Sequence, residues 1–230
     1  MELYDTIFTR RSVRKYDMTP LDGAALAEIR AFLDTTTQLT GQNARFEIVG
    51  ADRIKNAAAP HYILAYCAAN DSAYANVGYV LQNADLHLQS LGFGSLWLGS
   101  AKPSEPEADY CIMLAFGKTD VPPRRDLRDF KRLPIGDISN ADDAIAQAAR
   151  LAPSAMNSQP WFFDFSDGNV SVNYAGRGVS KLLLRKKLSK IDLGIATRHV
   201  EVALLHEGRT VLAVTPKTDG RDFAVEVTYQ

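Results

Sequence analysis

Ala152-Pro153-Ser154-Ala155-Met156-Asn157-Ser158-Gln159-Pro160-Trp161-Phe162-Phe163 is the stretch on which the reading of this chain turns. It follows a helical run, 141–151, and leads into a strand-like run of aromatics. As a plain connector, Pro153 would stop the helix, Asn157 would cap a turn and Trp161 would enter the core. Yet Ser, Asn, Gln and Trp together place several hydrogen-bonding groups in a loop wedged between apolar elements. That is unusual material for a connector alone.

Working outward, a second segment stands near the N-terminus: Arg10-Arg11-Ser12-Val13-Arg14-Lys15-Tyr16, just after a short amphipathic run from Leu3 to Phe8. Three arginines around a serine offer bidentate guanidinium donors and a hydroxyl, which suits a phosphate monoester. The same cluster alone also reads as a solvated basic face. A third segment, Asn76-Val77-Gly78-Tyr79-Val80-Leu81-Gln82-Asn83, opens a long helix that runs into Leu91-Gly92-Phe93-Gly94-Ser95-Leu96-Trp97-Leu98-Gly99.

Together the three segments resemble the FMN-dependent nitroreductase family, and the resemblance covers most of the chain. In that family an Arg-Arg-Ser-x-Arg segment grips the flavin phosphate and ribityl chain, and a Pro-Ser-x-x-Asn-x-Gln-Pro-Trp segment lies beside the ring. The resemblance implies an α+β sandwich with a mixed central sheet flanked by helices, and FMN as cofactor. It implies cofactor binding by Arg10, Arg11, Ser12 and Arg14 at the phosphate end, with Arg11 either assisting or facing solvent. Pro153, Ser154, Ala155 and Asn157 would line the other side, and Trp97-Leu98-Gly99 would run along the ring. Arg124 and Arg125 match C-terminal basic residues that close over the phosphate, or they are solvated linker charges.

One departure from the family pattern is large. The loop normally follows the arginines by about thirty residues; there this chain carries Thr35-Thr36-Thr37-Gln38-Leu39-Thr40-Gly41-Gln42-Asn43-Ala44-Arg45-Phe46, without the prolines and tryptophan. Gln42 and Gln159 stand 117 residues apart, and Gly78 and Gly194 stand 116 apart. This reads as an internal duplication into two pseudo-symmetric halves, 1–120 and 121–230, sharing one core. Members of the family are homodimers whose sites take arginines from one subunit and the loop from the other. The chain is therefore expected to be a monomer resembling such a dimer, similar to the small internally duplicated branch of the family. It would hold one complete site per chain. The other would pair the Thr-rich loop with Arg128-Asp129-Phe130-Lys131-Arg132, where Asp129 replaces the serine and would repel a phosphate.

Composition agrees with an ordinary globular protein. The 230 residues are 46% hydrophobic and 23% charged with a net charge of −1, which gives no global pull toward nucleic acid or membranes. Cys67 and Cys111 sit in apolar runs and are expected as buried free thiols, in keeping with a reducing cytoplasm. The acidic start Met1-Glu2-Leu3-Tyr4-Asp5 is not expected to act as a signal peptide, and no apolar run approaches the roughly 20 residues of a spanning helix. His61, His87, His199 and His206 show no metal-ligand spacing, and His87 and His199 are expected as hydrogen-bonded core or interface groups.

Along the chain, helices are expected at 23–33, 52–59, 75–91, 141–151 and 191–206. Strands are expected at 46–50, 62–69, 96–99, 111–116, 161–166, 170–174, 210–216 and 223–229. No Ser-His-Asp or Cys-His set is present, and the family needs none. Hydride passes from NADH or NADPH to the flavin and on to a small-molecule acceptor such as a nitroaromatic or quinone. The short polar loop Lys102-Pro103-Ser104-Glu105-Pro106-Glu107 stands where larger relatives carry a lid, which implies an open flavin face. A flavin-binding protein without turnover, and a specialised flavin enzyme such as a reductive dehalogenase, are the alternatives.

Overall fold

Two four-stranded antiparallel sheets enclose a pair of long helices. A computed structural model describes residues 2–176, 182–219 and 222–230. The first half runs α1 (Leu3–Thr9), α2 (Gly23–Thr35), β1 (Arg45–Gly50), β2 (His61–Tyr66), α3 (Asp71–Ser90), β3 (Gly94–Leu98) and β4 (Tyr110–Gly117). The second runs α4 (Ala144–Arg150), β5 (Trp161–Ser166), β6 (Asn169–Tyr174), α5 (Leu182–His206), β7 (Val211–Asp219) and β8 (Asp222–Tyr229). Strand order is β1-β2-β4-β3 in one sheet and β5-β6-β8-β7 in the other, so both halves use the same topology. The α+β sandwich is as expected, but the single mixed sheet is not. Each half closes its own antiparallel sheet, and among the described residues parallel pairing is confined to isolated bridges, Ser12 to Ser95 and Ser139 to Phe163.

Helix starts follow side-chain chemistry. Asp22, Asn70 and Asp143 each accept a hydrogen bond from the amide three residues on, capping α2, α3 and α4. The Asn70 cap starts α3 four residues ahead of the expected position. α5 begins nine residues ahead of its expected start. The helix expected at 52–59 shrinks to one 3₁₀ turn, Ala51–Arg53. Asn56 is left-handed there (φ 54°), and the Tyr62 hydroxyl accepts from the Ala58 and Ala59 amides, so those donors leave no helical ladder. The Asp167-Gly168-Asn169 turn forms, with Gly168 at φ 67°. The turn expected at Thr218-Asp219-Gly220 lies partly outside the described residues.

One apolar core holds residues of both halves, among them Ile63, Leu81, Trp161, Phe163, Leu193 and Val225. Trp161 is thus a core residue. α3 and α5 cross inside it, burying almost every side chain of their middle turns. A second cluster covers the outer face of the first sheet, and a third joins α1 to α4 and the ends of α3 and α5. That third cluster brings the arginine motif, which leaves α1, against the central helix pair.

Candidate functional site

α1 ends at Arg10, and the chain then runs extended along β3, with Ser12 bridging Ser95 and the Val13 amide donating to the Ser95 carbonyl (2.9 Å). Extended backbone alternates its side chains. Val13 turns into a small apolar recess, whereas Arg10, Ser12 and Arg14 line a cavity of about 510 Å³. The Arg11 guanidinium donates to the Pro122 carbonyl (2.8 Å) and its amide to Gln89 Oε1 (2.8 Å), so Arg11 ties the linker to α3.

Arg10 is buried and its Nε donates to Asp85 Oδ2 at 2.8 Å. Asp85 also accepts from Ser95 Oγ (2.5 Å), Gln89 Nε2 and Gln82 Nε2 (3.1 Å each). This completes the carboxylate's acceptor capacity and fixes the guanidinium. Arg124 and Arg132 join Arg10 around the same cavity. Burial, together with the like charges of Arg10, Arg124 and Arg150, pushes Arg132 down to about 9. Burial and the charges of Arg10 and Arg11 depress Arg124. Nη2 of Arg10, Nη1 of Arg124 and Nε of Arg132 are all buried without a hydrogen-bond partner. Arg10, Arg124 and Arg132 all line one cavity, and the positive charge they concentrate there suits a multivalent anion such as a phosphate.

The opposite wall is the 153–157 loop. Met156, Asn157 and Gln159 all adopt the left-handed conformation, with φ of 53°, 56° and 48°. Non-glycine residues in this region carry strain that surrounding contacts must hold. Ser154 Oγ accepts from the Gln159 amide (2.9 Å), and Gln159 Oε1 accepts from the Leu133 amide (2.8 Å). Asn157 accepts from Arg132 Nη1 (2.5 Å) and donates to the Lys131 carbonyl (2.9 Å). The carboxyl of Asp192 accepts from the Ala155 amide, at 3.0 and 3.2 Å to its two oxygens.

Adjoining the basic cavity is a narrower cleft of about 160 Å³, sharing Ser12, Arg14, Pro153 and Ser154 with it. Its remaining walls include Trp97, Gly99, Leu188 and Asp192. β3 is an edge strand, and the Ser95 carbonyl already points outward to Val13. Alternation therefore puts the Trp97 backbone N–H on that same free edge.

Of the residues expected from sequence, Arg10, Arg11, Ser12, Arg14, Trp97, Gly99, Arg124, Pro153, Ser154, Ala155 and Asn157 converge on these two cavities. Leu98 does not: its side chain packs into the outer core of the first sheet. Arg125 is exposed and lines neither cavity. The segments of the second pseudo-site, expected to be eroded, take other partners. Arg132 belongs to the first site, and Arg128 pairs with Asp126 at the surface. Glu201, which stands 116 residues after Asp85, is paired instead with Arg198 of its own helix. The Thr40 amide bonds directly to the Val214 carbonyl (2.9 Å), which closes the Thr-rich loop onto β7. Arg132, Asp85 and Asp192 were not anticipated as site residues. Only Asp192 had a legible signal, two positions before Gly194 as Asn76 is before Gly78.

His199 lies in the core against Gln82 Nε2 (3.1 Å) and the Ala148 carbonyl (3.2 Å), and burial pushes it down to about 3, so it is neutral. His87 stacks on Phe32, and both cysteines are buried and free. Among the described residues no three His, Cys, Asp or Glu groups converge as a metal site, and no helix is long and apolar enough to cross a membrane.

Comparison with solved structures finds the same fold in a protein from Thermotoga maritima MSB8 described as a putative nitroreductase. The match has a TM-score of 0.73 at 20% identity and covers 99% of this chain and 94% of that one. Partial matches include a nitroreductase family protein from Clostridium difficile 630 (17% identity, 60% and 96% coverage, TM-score 0.49). Another is a Desulfovibrio desulfuricans protein solved in complex with FMN (20%, 57% and 96%, TM-score 0.40). No curated protein matches the chain. A family model described as "Putative TM nitroreductase" matches residues 2–204, and the chain is accordingly a member of that nitroreductase family.

Proposed function

We propose that this protein is an FMN-dependent oxidoreductase binding one FMN per chain, in a site divided between two halves, 1–120 and 121–230, that arose by internal duplication. The observation that carries this reading is the gathering of Arg10, Arg124 and Arg132, with Ser12 and Arg14, around one cavity beside a cleft on a free strand edge. Arg10, Arg124 and Arg132, with Ser12 and Arg14, would hold the phosphate and ribityl end. Ser154, Ala155 and Trp97 would flank the ring. The repeated strand order and the Gly78–Gly194 spacing support the duplication.

When bound, the flavin supplies hydride acceptance and donation; the protein supplies position and electrostatics. The Trp97 N–H on the β3 edge would donate a hydrogen bond to the ring. Asp85 keeps the Arg10 guanidinium oriented toward the phosphate. NADH or NADPH would serve as donor, and small nitroaromatics or quinones as acceptors. The setting would be the cytoplasm, with the chain acting as a monomer shaped like a dimer.

The test is the visible spectrum and flavin content of the purified protein, followed by NADH and NADPH oxidation with a quinone. About one FMN per chain with turnover is the expected result. FMN without turnover would leave a binding protein, and failure to load FMN under titration would end the flavin reading.

A further inference from the structure

Asp192 is the buried carboxyl of the cleft, 3% exposed, and among the described residues its hydrogen-bond donor is a single amide, that of Ala155. The protein treats the buried carboxyl behind Arg10 differently: Asp85 has four donors, one of them a guanidinium. Among the described residues no ion pair reaches Asp192. The charged groups on neighbouring elements are engaged or remote. Arg14 is exposed at the mouth, Asp71 of α3 holds Lys190, and Lys187 donates to the Cys111 carbonyl. Lone burial without a cation favours the neutral acid.

The other half shows what the position needs structurally. Asn76, 116 residues earlier, accepts from the Leu39 amide (2.8 Å) as Asp192 accepts from Ala155. Its second polar atom is a donor, bonded to Gln38 Oε1 (2.6 Å). An amide thus suffices to hold the loop. A carboxyl at the same place adds one capacity, a proton that it can release.

We propose that Asp192 is a general acid of this cleft, delivering a proton to the bound acceptor as that acceptor is reduced. The inference rests on the flavin reading, since the electron pair comes from the reduced cofactor. The Asp192 O–H bond breaks, an O–H or N–H bond forms on the acceptor, and the carboxylate regains its proton from solvent at the mouth beside Arg14. The burial that isolates Asp192 also raises its titration to about 8, opposed only by the Ala155 amide, so the acid form dominates at neutral pH.

The experiment pairs a wild-type titration with Asp192→Asn. Carbon-13 NMR of aspartate carboxyls in the protein without added flavin is expected to show one resonance titrating near 8, absent from Asp192→Asn. Asp192→Asn is expected to keep FMN binding, because the amide still accepts from Ala155. Its quinone reduction at pH 7 should fall about 10- to 100-fold and lose the decline above pH 8. A carboxyl titrating in the ordinary range, or an Asp192→Asn variant with unchanged rate and pH profile, would overturn the proposal while leaving the flavin reading intact. A wild-type chain that takes up no FMN would overturn both.

Discussion

Gly78 of α3 and Gly194 of α5 press against each other's helix at one crossing. A Cβ at Gly78 would fall 2.0 Å from the Ile191 carbonyl oxygen, and one at Gly194 would fall 1.8 Å from that of Ala75. The contacts are reciprocal, as a two-fold axis between the helices would make them. Because Asp192 and Asn76 each stand two residues before one of these glycines, the crossing also sets the depth of the candidate site.

Gly78→Ala and Gly194→Ala should therefore each destabilise by about 3 kcal/mol or more, since the obstacle is backbone and cannot rotate away. Urea denaturation would measure it. A loss within a few tenths of a kcal/mol would mean that the helices separate freely.

Asp85→Ala removes the counter-charge of Arg10 and leaves a guanidinium buried alone. The expected cost is about 3–5 kcal/mol. FMN affinity should fall as well, because the arginine loses its orientation. Equilibrium unfolding and flavin titration on the same variant would separate the two effects.

Arg124→Gln and Arg132→Gln should weaken FMN about 10- to 100-fold each, the worth of one charge-assisted hydrogen bond. Riboflavin, which lacks the phosphate, should bind these variants as it binds the wild type. Arg125→Gln, at an exposed position outside both cavities, should leave both ligands unaffected. Equal losses for riboflavin and FMN would move the phosphate elsewhere.

Stability against pH reports on Asp192 and His199 together. Asp192 rises from 3.8 unfolded to about 8 folded, so its contribution is lost as pH climbs through that window. His199 falls from 6.5 to about 3, so its contribution is lost as pH drops through its own window. Between about 4 and 6.5 the two oppose each other. Above 6.5 Asp192 acts alone, and stability should decline by about 1.4 kcal/mol per pH unit toward 8. Asp192→Asn should be flat there. Urea midpoints from pH 6.5 to 8 would show it.

The arginine motif, the Pro153–Asn157 loop and the spacing of Gly78 and Gly194 were legible in the sequence, because turn chemistry and repeated offsets are local, one-dimensional signals. They were enough for the α+β sandwich, the family and most of the converging residues. The tertiary structure decided what depends on direction. Strand alternation turned Leu98 into the outer core while Trp97 faced the cleft. The path of the linker, held by Arg11, carried Arg132 to Arg10 rather than to a second site. Asp85 and Asp192 are ordinary helical acids on paper. Only burial, with four donors around one and a single amide beside the other, gives them different chemistry.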